Sequence, residues 1–131
     1  MNILLQGVYM YKPQKRSLGE IKVHDILEDA GFSFAEEYSF QDLTSDYGNL
    51  LRFDFVVFDD NDDIDFIIEV QGEQHYKPVS VFGGAKGLYK QQRNDVKKRK
   101  YCLEHNYKLI SIPYYDLPKV NLDYIMKSAG Y

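Results

Sequence analysis

In the stretch IIEVQGEQHY, Ile67 to Tyr76, an apolar β-branched run is followed within seven residues by Glu69, Gln71, Glu73, Gln74 and His75. A strand of that composition either leaves the core at Glu69 or delivers a polar site there. A second acid, Asp54, stands inside the apolar run LLRFDFVVF, and the segment DDNDD joins the two runs. Strand side chains alternate between faces, and a hairpin turning at Asn61 and Asp62 sets residues whose numbers sum to 123 opposite each other, Asp54 and Glu69 among them. A slip of one residue would send the two to opposite faces. Side by side in apolar strands, two carboxylates are costly unless one is protonated or a cation lies between them. A hard divalent ion with oxygen ligands, Mg²⁺ or Mn²⁺, satisfies both. The competing arrangement pairs Asp54 with Arg52 or Lys98 and leaves Glu69 solvated at a strand end.

The elements that must position these residues follow from periodicity and caps. SLGEIKVHDILEDAG predicts a helix with Ser17 as N-cap, Glu20 completing a capping box and Gly31 just beyond its end, with Leu18, Val23, Ile26, Leu27 and Ala30 as the apolar stripe. The runs around Asp54 and Glu69 predict a β-hairpin. A second helix is expected from Gly87 to His105, with Leu88, Val96, Cys102 and Leu103 inward and Asn106 as a left-handed stop. KLISIPYY predicts a further strand, which Pro113 confines to an edge or to its own last residues. A third helix follows Pro118, carrying Leu122, Ile125 and Met126. A leading strand, Ile3 to Tyr11, is also suggested. The order helix, strand, strand, helix, strand, helix is that of a mixed α/β layer.

A chain of 131 residues, 44% hydrophobic and 15% aromatic, makes one domain with one core: residues 1–16 as a basic N-terminal segment and 17–131 as the folded unit. No run reaches the roughly 20 apolar residues of a membrane span, and the charges of MNILLQGVYMYKPQKR follow its apolar run, the reverse of a secretion signal. The expectation is a cytoplasmic protein with no membrane partner. Cys102 stands alone, which fits a reducing compartment and a buried structural role. The net charge of −4 is segregated: eight of 20 acids lie between 54 and 73, and seven of 16 bases between 86 and 100. One face can then be positive although the total is negative. Lys12, Lys15, Arg16, Lys86, Lys90, Arg93, Lys97, Arg99 and Lys100 are the candidate phosphate contacts, and a solvated helix face is the plainer alternative.

In order along the chain, Glu20, LRFDF, IEVQGEQHY, QQRNDVKKRKYC and LISIPY resemble the PD-(D/E)XK nuclease superfamily, and within it the branch of phage-type homing endonucleases and the very-short-patch mismatch repair endonuclease. The resemblance spans Ser17 to Tyr115. It implies a restriction-endonuclease-like mixed sheet flanked by helices and a metal-dependent DNA endonuclease, in a bacterial or phage-infected cell. Asp54 matches the metal-binding Asp, Glu69 the acid of the second half-motif and Glu20 the acid of the first helix. His75 and Asp95 match the His beside the scissile phosphate and the carboxylate that holds it. Gln71 stands where the family has Lys; it cannot supply charge, and Lys98 is the candidate replacement. The implied metal ligands are Asp54, Glu69 and the Val70 carbonyl. His75 would move the proton, with Asp95 fixing its tautomer. Only residues 1–16 and 77–90 are free to read sequence, so a homodimer or an additional partner would have to supply high specificity. Two other readings stand beside this one: a non-catalytic module binding nucleic acid or protein on the same scaffold, and, more remotely, an RNA nuclease or resolvase.

Overall fold

The computed structural model describes residues 16–80 and 83–131. The suggested strand at Ile3 to Tyr11, and Lys12 and Lys15, lie outside these residues. The elements in chain order are α1 (Leu18–Asp29), β1 (Ser33–Thr44), β2 (Leu50–Phe58), β3 (Ile64–Gln71), α2 (Gly84–Glu104), β4 (Lys108–Pro113) and α3 (Leu122–Ser128), with short 3₁₀ turns at Glu73–His75 and Tyr114–Lys119. One four-stranded sheet runs β1-β2-β3-β4; the first three strands are antiparallel, and β3 pairs with β4 in parallel. The parallel pair needs a crossover, which α2 provides. Mixed α/β architecture with flanking helices is therefore the fold class.

Two apolar clusters sandwich the sheet. Val23 and Leu27 of α1 and Ile125 of α3 pack with Phe55, Phe66 and Ile68 on one face, while Tyr101 and Cys102 of α2 pack with Phe53, Val56 and Ile67 on the other. At about 25 cal/mol per Å² these fully buried side chains supply the main drive to fold. The capping box of Ser17 and Glu20 forms as expected, with Glu20 Oε1 accepting from the Ser17 amide at 2.9 Å and Ser17 Oγ from the Glu20 amide at 3.1 Å. Gly31 and Asn106 take left-handed conformations where the helices end. Pro113 closes β4, an edge strand.

Four expectations are corrected. The strand β1 was not foreseen: its acids Glu36, Glu37 and Asp42 interrupt the apolar pattern, and as an edge strand it is mostly half-buried. Helix α2 begins three residues early, at Gly84 rather than Gly87. Its inward stripe is Asp95, Tyr101 and Cys102, whereas Val96 and Leu103 are 51% and 79% exposed. Leu18 is likewise exposed, because α1 meets the sheet through Gly19. A Cβ at Gly19 would lie 2.8 Å from Val70 Cγ1 and 2.9 Å from Leu117 Cδ1, so only glycine lets the first turn of α1, and with it Glu20, approach β3 this closely.

Candidate active site

The β2–β3 register is the one that brings the two acids together. Phe55, Val56 and Val57 pair with Ile68, Ile67 and Phe66, each pair summing to 123, and the ladder slips only next to the turn, at Phe58 and Ile64. There Asp59 Oδ1 accepts from the Asn61 and Asp63 amides and Asp62 adopts φ +63, a turn that the DDNDD segment is built to make. Beyond Phe55 and Ile68 the two side chains bind the facing strand's backbone. Glu69 Oε2 accepts from the Asp54 amide at 2.8 Å, and Asp54 Oδ2 accepts from the Val70 amide at 2.7 Å.

Alternation along β2 also resets at this point. Phe53 and Val56 lie on the α2 side of the sheet and Phe55 on the α1 side, although an unbroken strand puts Phe53 and Phe55 on one face. Arg52, Asp54 and Val56 therefore do not share the single face that regular pleating predicts. The facing strand β1 switches at the same point, with Phe34 on the α1 side and Tyr38 and Phe40 on the α2 side. Glu37, between the pairs Glu36–Phe55 and Tyr38–Phe53, has φ +52, a conformation that costs a non-glycine residue energy and twists the strand locally.

The twist delivers Glu37 to the site. Carboxylate oxygens of Glu20, Glu37 and Asp54 lie within 4.8 Å of one another. Burial first and the charge of Glu69 second push the Asp54 carboxyl far above the usual carboxylate range. Burial and then the Glu20 charge also raise Glu37, although Arg52 at 3.5 Å opposes the shift. Chemically the donor set fits a hard divalent cation. Glu20 and Asp54 each commit one oxygen to a backbone amide through the bonds described above, and the second stays available. Glu69 differs. Its Oε1 accepts from Lys98 Nζ at 2.7 Å and its Oε2 from Asp54, so it could ligate only by sharing an oxygen already in use. Glu20, Glu37 and Asp54 thus form a carboxylate group beside the Asp54–Glu69 pair, with Asp54 common to both; Val70 contributes its amide to Asp54 and lines the cleft.

The cleft is about 530 Å³ and is bordered by Glu20, Asp54, Glu69, His75, Gln91 and Lys98, among others. Arg52 reaches Glu37 and Lys98 reaches Glu69, so neither forms the ion pair with Asp54 that was the competing arrangement. Lys98 stands with side-chain exposure of 11% beside Glu69 at 6%, its ammonium 5.5 Å from the Phe53 ring centre. His75 Nδ1 meets Asp95 Oδ2 at 2.9 Å, and Gln91 Nε2 donates to the other Asp95 oxygen at 3.3 Å. Gln71 is turned away, accepting from Tyr76 Oη at 2.7 Å, and borders a separate crevice with Asp95, Lys98 and Arg99. Gln71 is absent from the lining of the larger cleft, to which α2 contributes the Lys98 ammonium.

Sequence reasoning missed Glu37 and Gln91. Gln91 was discoverable: Leu88, Gln91, Asp95, Lys98 and Cys102 recur at three- and four-residue spacing, the signature of one helical face. Glu37 carries no such signal, since its arrival depends on a backbone twist. Of the basic residues, Arg93 and Lys97 bind Asp46 and Arg16 binds Glu36, while Lys86, Lys90, Arg99 and Lys100 are exposed. His24 sits among Asp25, Glu28 and Glu36, and His105 binds the Tyr101 carbonyl, both away from the cleft.

Among the described residues no helix is long and apolar enough to cross a membrane. No family model matches the chain, and no solved structure does. Uncharacterized protein 094L of Frog virus 3 (isolate Goorha) is similar over 49 residues at 51% identity, a stretch that is 36% of this chain and 32% of that protein. The match thus spans about a third of that relative's length.

Proposed function

We propose that the chain is a metal-dependent endonuclease of the PD-(D/E)XK type, hydrolysing phosphodiester bonds in DNA. One observation carries this reading: Glu20, Asp54, Glu69, Lys98 and His75 border one cleft at the point where β2 and β3 part, with Glu37 beside Glu20 and Asp54 and with Asp95 holding His75. A structural ion-pair network would satisfy its charges internally, but Glu20, Glu37 and Asp54 bring like charges together and, among the described residues, the one ion pair any of them makes is that of Glu37 with exposed Arg52.

Glu20, Glu37 and Asp54 would hold Mg²⁺ or Mn²⁺, which when bound supplies a Lewis acid and an acidified water. The reciprocal amide bonds of Asp54 and Glu69 fix the carboxylates before any substrate arrives, so little reorganisation is needed. Lys98, held by Glu69 at the cleft wall, offers an ammonium to a phosphoryl oxygen. Asp95 accepts from His75 Nδ1–H and so leaves Nε2 as the nitrogen that accepts a proton from water or returns one to the leaving alkoxide. Gln91 holds the second oxygen of Asp95 and keeps that carboxylate in place.

Supercoiled plasmid incubated with the chain and Mg²⁺ should convert to nicked or linear forms, and EDTA should prevent it. Binding of the plasmid without conversion in any metal would instead indicate a non-catalytic nucleic-acid-binding module.

A further inference from the structure

A second cleft, of about 690 Å³, lies on the other side of α2, between its N-terminal half and the turn from Ser45 to Asn49 that joins β1 and β2. Two tyrosines border it, Tyr47 at 79% and Tyr89 at 68% exposure, and Lys86, Lys90 and Arg93 rim it. The turn is braced. Ser45 Oγ accepts from the Tyr47 and Asn49 amides at 3.3 and 3.2 Å, and Gly48, at φ +84, donates to the Ser45 carbonyl at 3.0 Å. Asp46 is tied to Arg93 and Lys97, and Lys97 Nζ also reaches the Thr44 carbonyl at 2.9 Å. Tyr47 is thus an exposed aromatic ring on a rigid support, with the Lys90 ammonium 5.5 Å from its centre.

We propose that this cleft binds an unpaired nucleotide of a single-stranded nucleic-acid segment, with Tyr47 and Tyr89 stacking on the base and Lys86 and Lys90 meeting the flanking phosphates. Flat aromatic faces among ammonium groups are the chemistry such segments need: stacking tolerates any sequence because every base has a flat face, while the cations follow the backbone. The one acid at the rim, Asp46, is already neutralised by Arg93 and Lys97. A strand bound here lies close to the candidate active site, because Lys90 and Arg93 flank Gln91 and Asp95 on the same helix. The path halfway around a helix about 10–12 Å in diameter is roughly 16–19 Å, about five nucleotide steps at 3.4 Å each. This extends the endonuclease reading to a substrate with an unpaired stretch near the cut, but the cleft itself does not depend on cleavage.

The chain contains no tryptophan, so Tyr47→Trp introduces a single reporter at the cleft. In EDTA, with Asp54→Asn as background to prevent cleavage, its emission should be quenched as a twelve-residue oligothymidylate is added. In the chain with its native Tyr47, Tyr47→Ala and Tyr89→Ala should each weaken binding of labelled oligothymidylate about tenfold or more, and Tyr47→Phe should retain it. Both tyrosines are exposed, and equal melting temperatures will show that the variants fold. Unquenched tryptophan with unchanged affinity in both alanine variants overturns the proposal. An equal loss for blunt duplex would make the cleft a general phosphate contact, and thymidine monophosphate binding as tightly as the oligomer would make it a free-nucleotide site; either result also overturns it. Loss of plasmid nicking with quenching intact refutes the nuclease reading alone.

Discussion

Asp54 and Glu69 each bind the backbone of the other's strand, Glu69 Oε2 taking the Asp54 amide at 2.8 Å and Asp54 Oδ2 taking the Val70 amide at 2.7 Å. The ladder therefore ends without orphaned amides, and two acids are fixed at the mouth of a cleft. Fixing them there costs the fold something that a cation would relieve.

That cost has a pH dependence. An unfolded Asp takes up its proton near pH 4, whereas burial and the Glu69 charge raise Asp54 in the fold. Below the unfolded value both states are protonated and nothing is lost. As pH rises from there through neutrality, the unfolded chain ionises freely while the folded chain must keep the proton or bury a charge, and stability falls. Without metal, the wild-type chain should melt lower at pH 8 than at pH 5 relative to Asp54→Asn, which should gain about 1 kcal/mol or more at the higher pH. Mg²⁺ should stabilise the wild type only. Calorimetric titration in buffers of differing ionisation enthalpy should detect proton release on binding, with affinity rising as pH rises.

Lys98→Ala strands Glu69 as a buried, uncompensated charge. Breaking such a pair typically costs about 3–5 kcal/mol, and chemical denaturation should show a loss of that order. Adding Glu69→Gln should restore much of the stability without restoring cleavage. Equal stability of Lys98→Ala and wild type would mean that the pair is solvated.

His75→Ala should lower the single-turnover rate by about 10²–10⁴ while leaving metal affinity unchanged. Asp95→Asn should act in the same direction by releasing the imidazole tautomer. If the two variants instead lose melting temperature in step with activity, the pair is structural.

Gly19→Ala should destabilise the chain by about 1–3 kcal/mol, the usual cost of overpacking, since its Cβ would meet Val70 and Leu117. A normal melting temperature would mean that α1 can shift, and with it Glu20.

Much of this arrangement is legible in the chain itself because it is local. The capping box, the DDNDD turn and the apolar runs fix α1, the hairpin register and hence the meeting of Asp54 with Glu69. The supply of charge from Lys98 follows from its helical spacing to Asp95. What the pattern hides is tertiary. Glu37 reaches the site only through a left-handed backbone at an edge strand whose acids mask its alternation. Val96 and Leu103 look like core, but the inward face of α2 is used to line a polar site, so apolar residues fall outside it. Gln71 is drawn away by Tyr76, a contact that its place in the sequence motif does not encode.

Single-turnover cleavage of end-labelled DNA across a Mg²⁺ titration, with wild type and Asp54→Asn side by side, tests the central claim most directly. The wild type should cut with a saturable dependence on Mg²⁺, and Asp54→Asn, with the same fold and shape but without the ligand charge, should show no cleavage at any Mg²⁺ concentration. Full Mg²⁺-dependent cleavage by Asp54→Asn, or none by a folded, DNA-binding wild type, would contradict it.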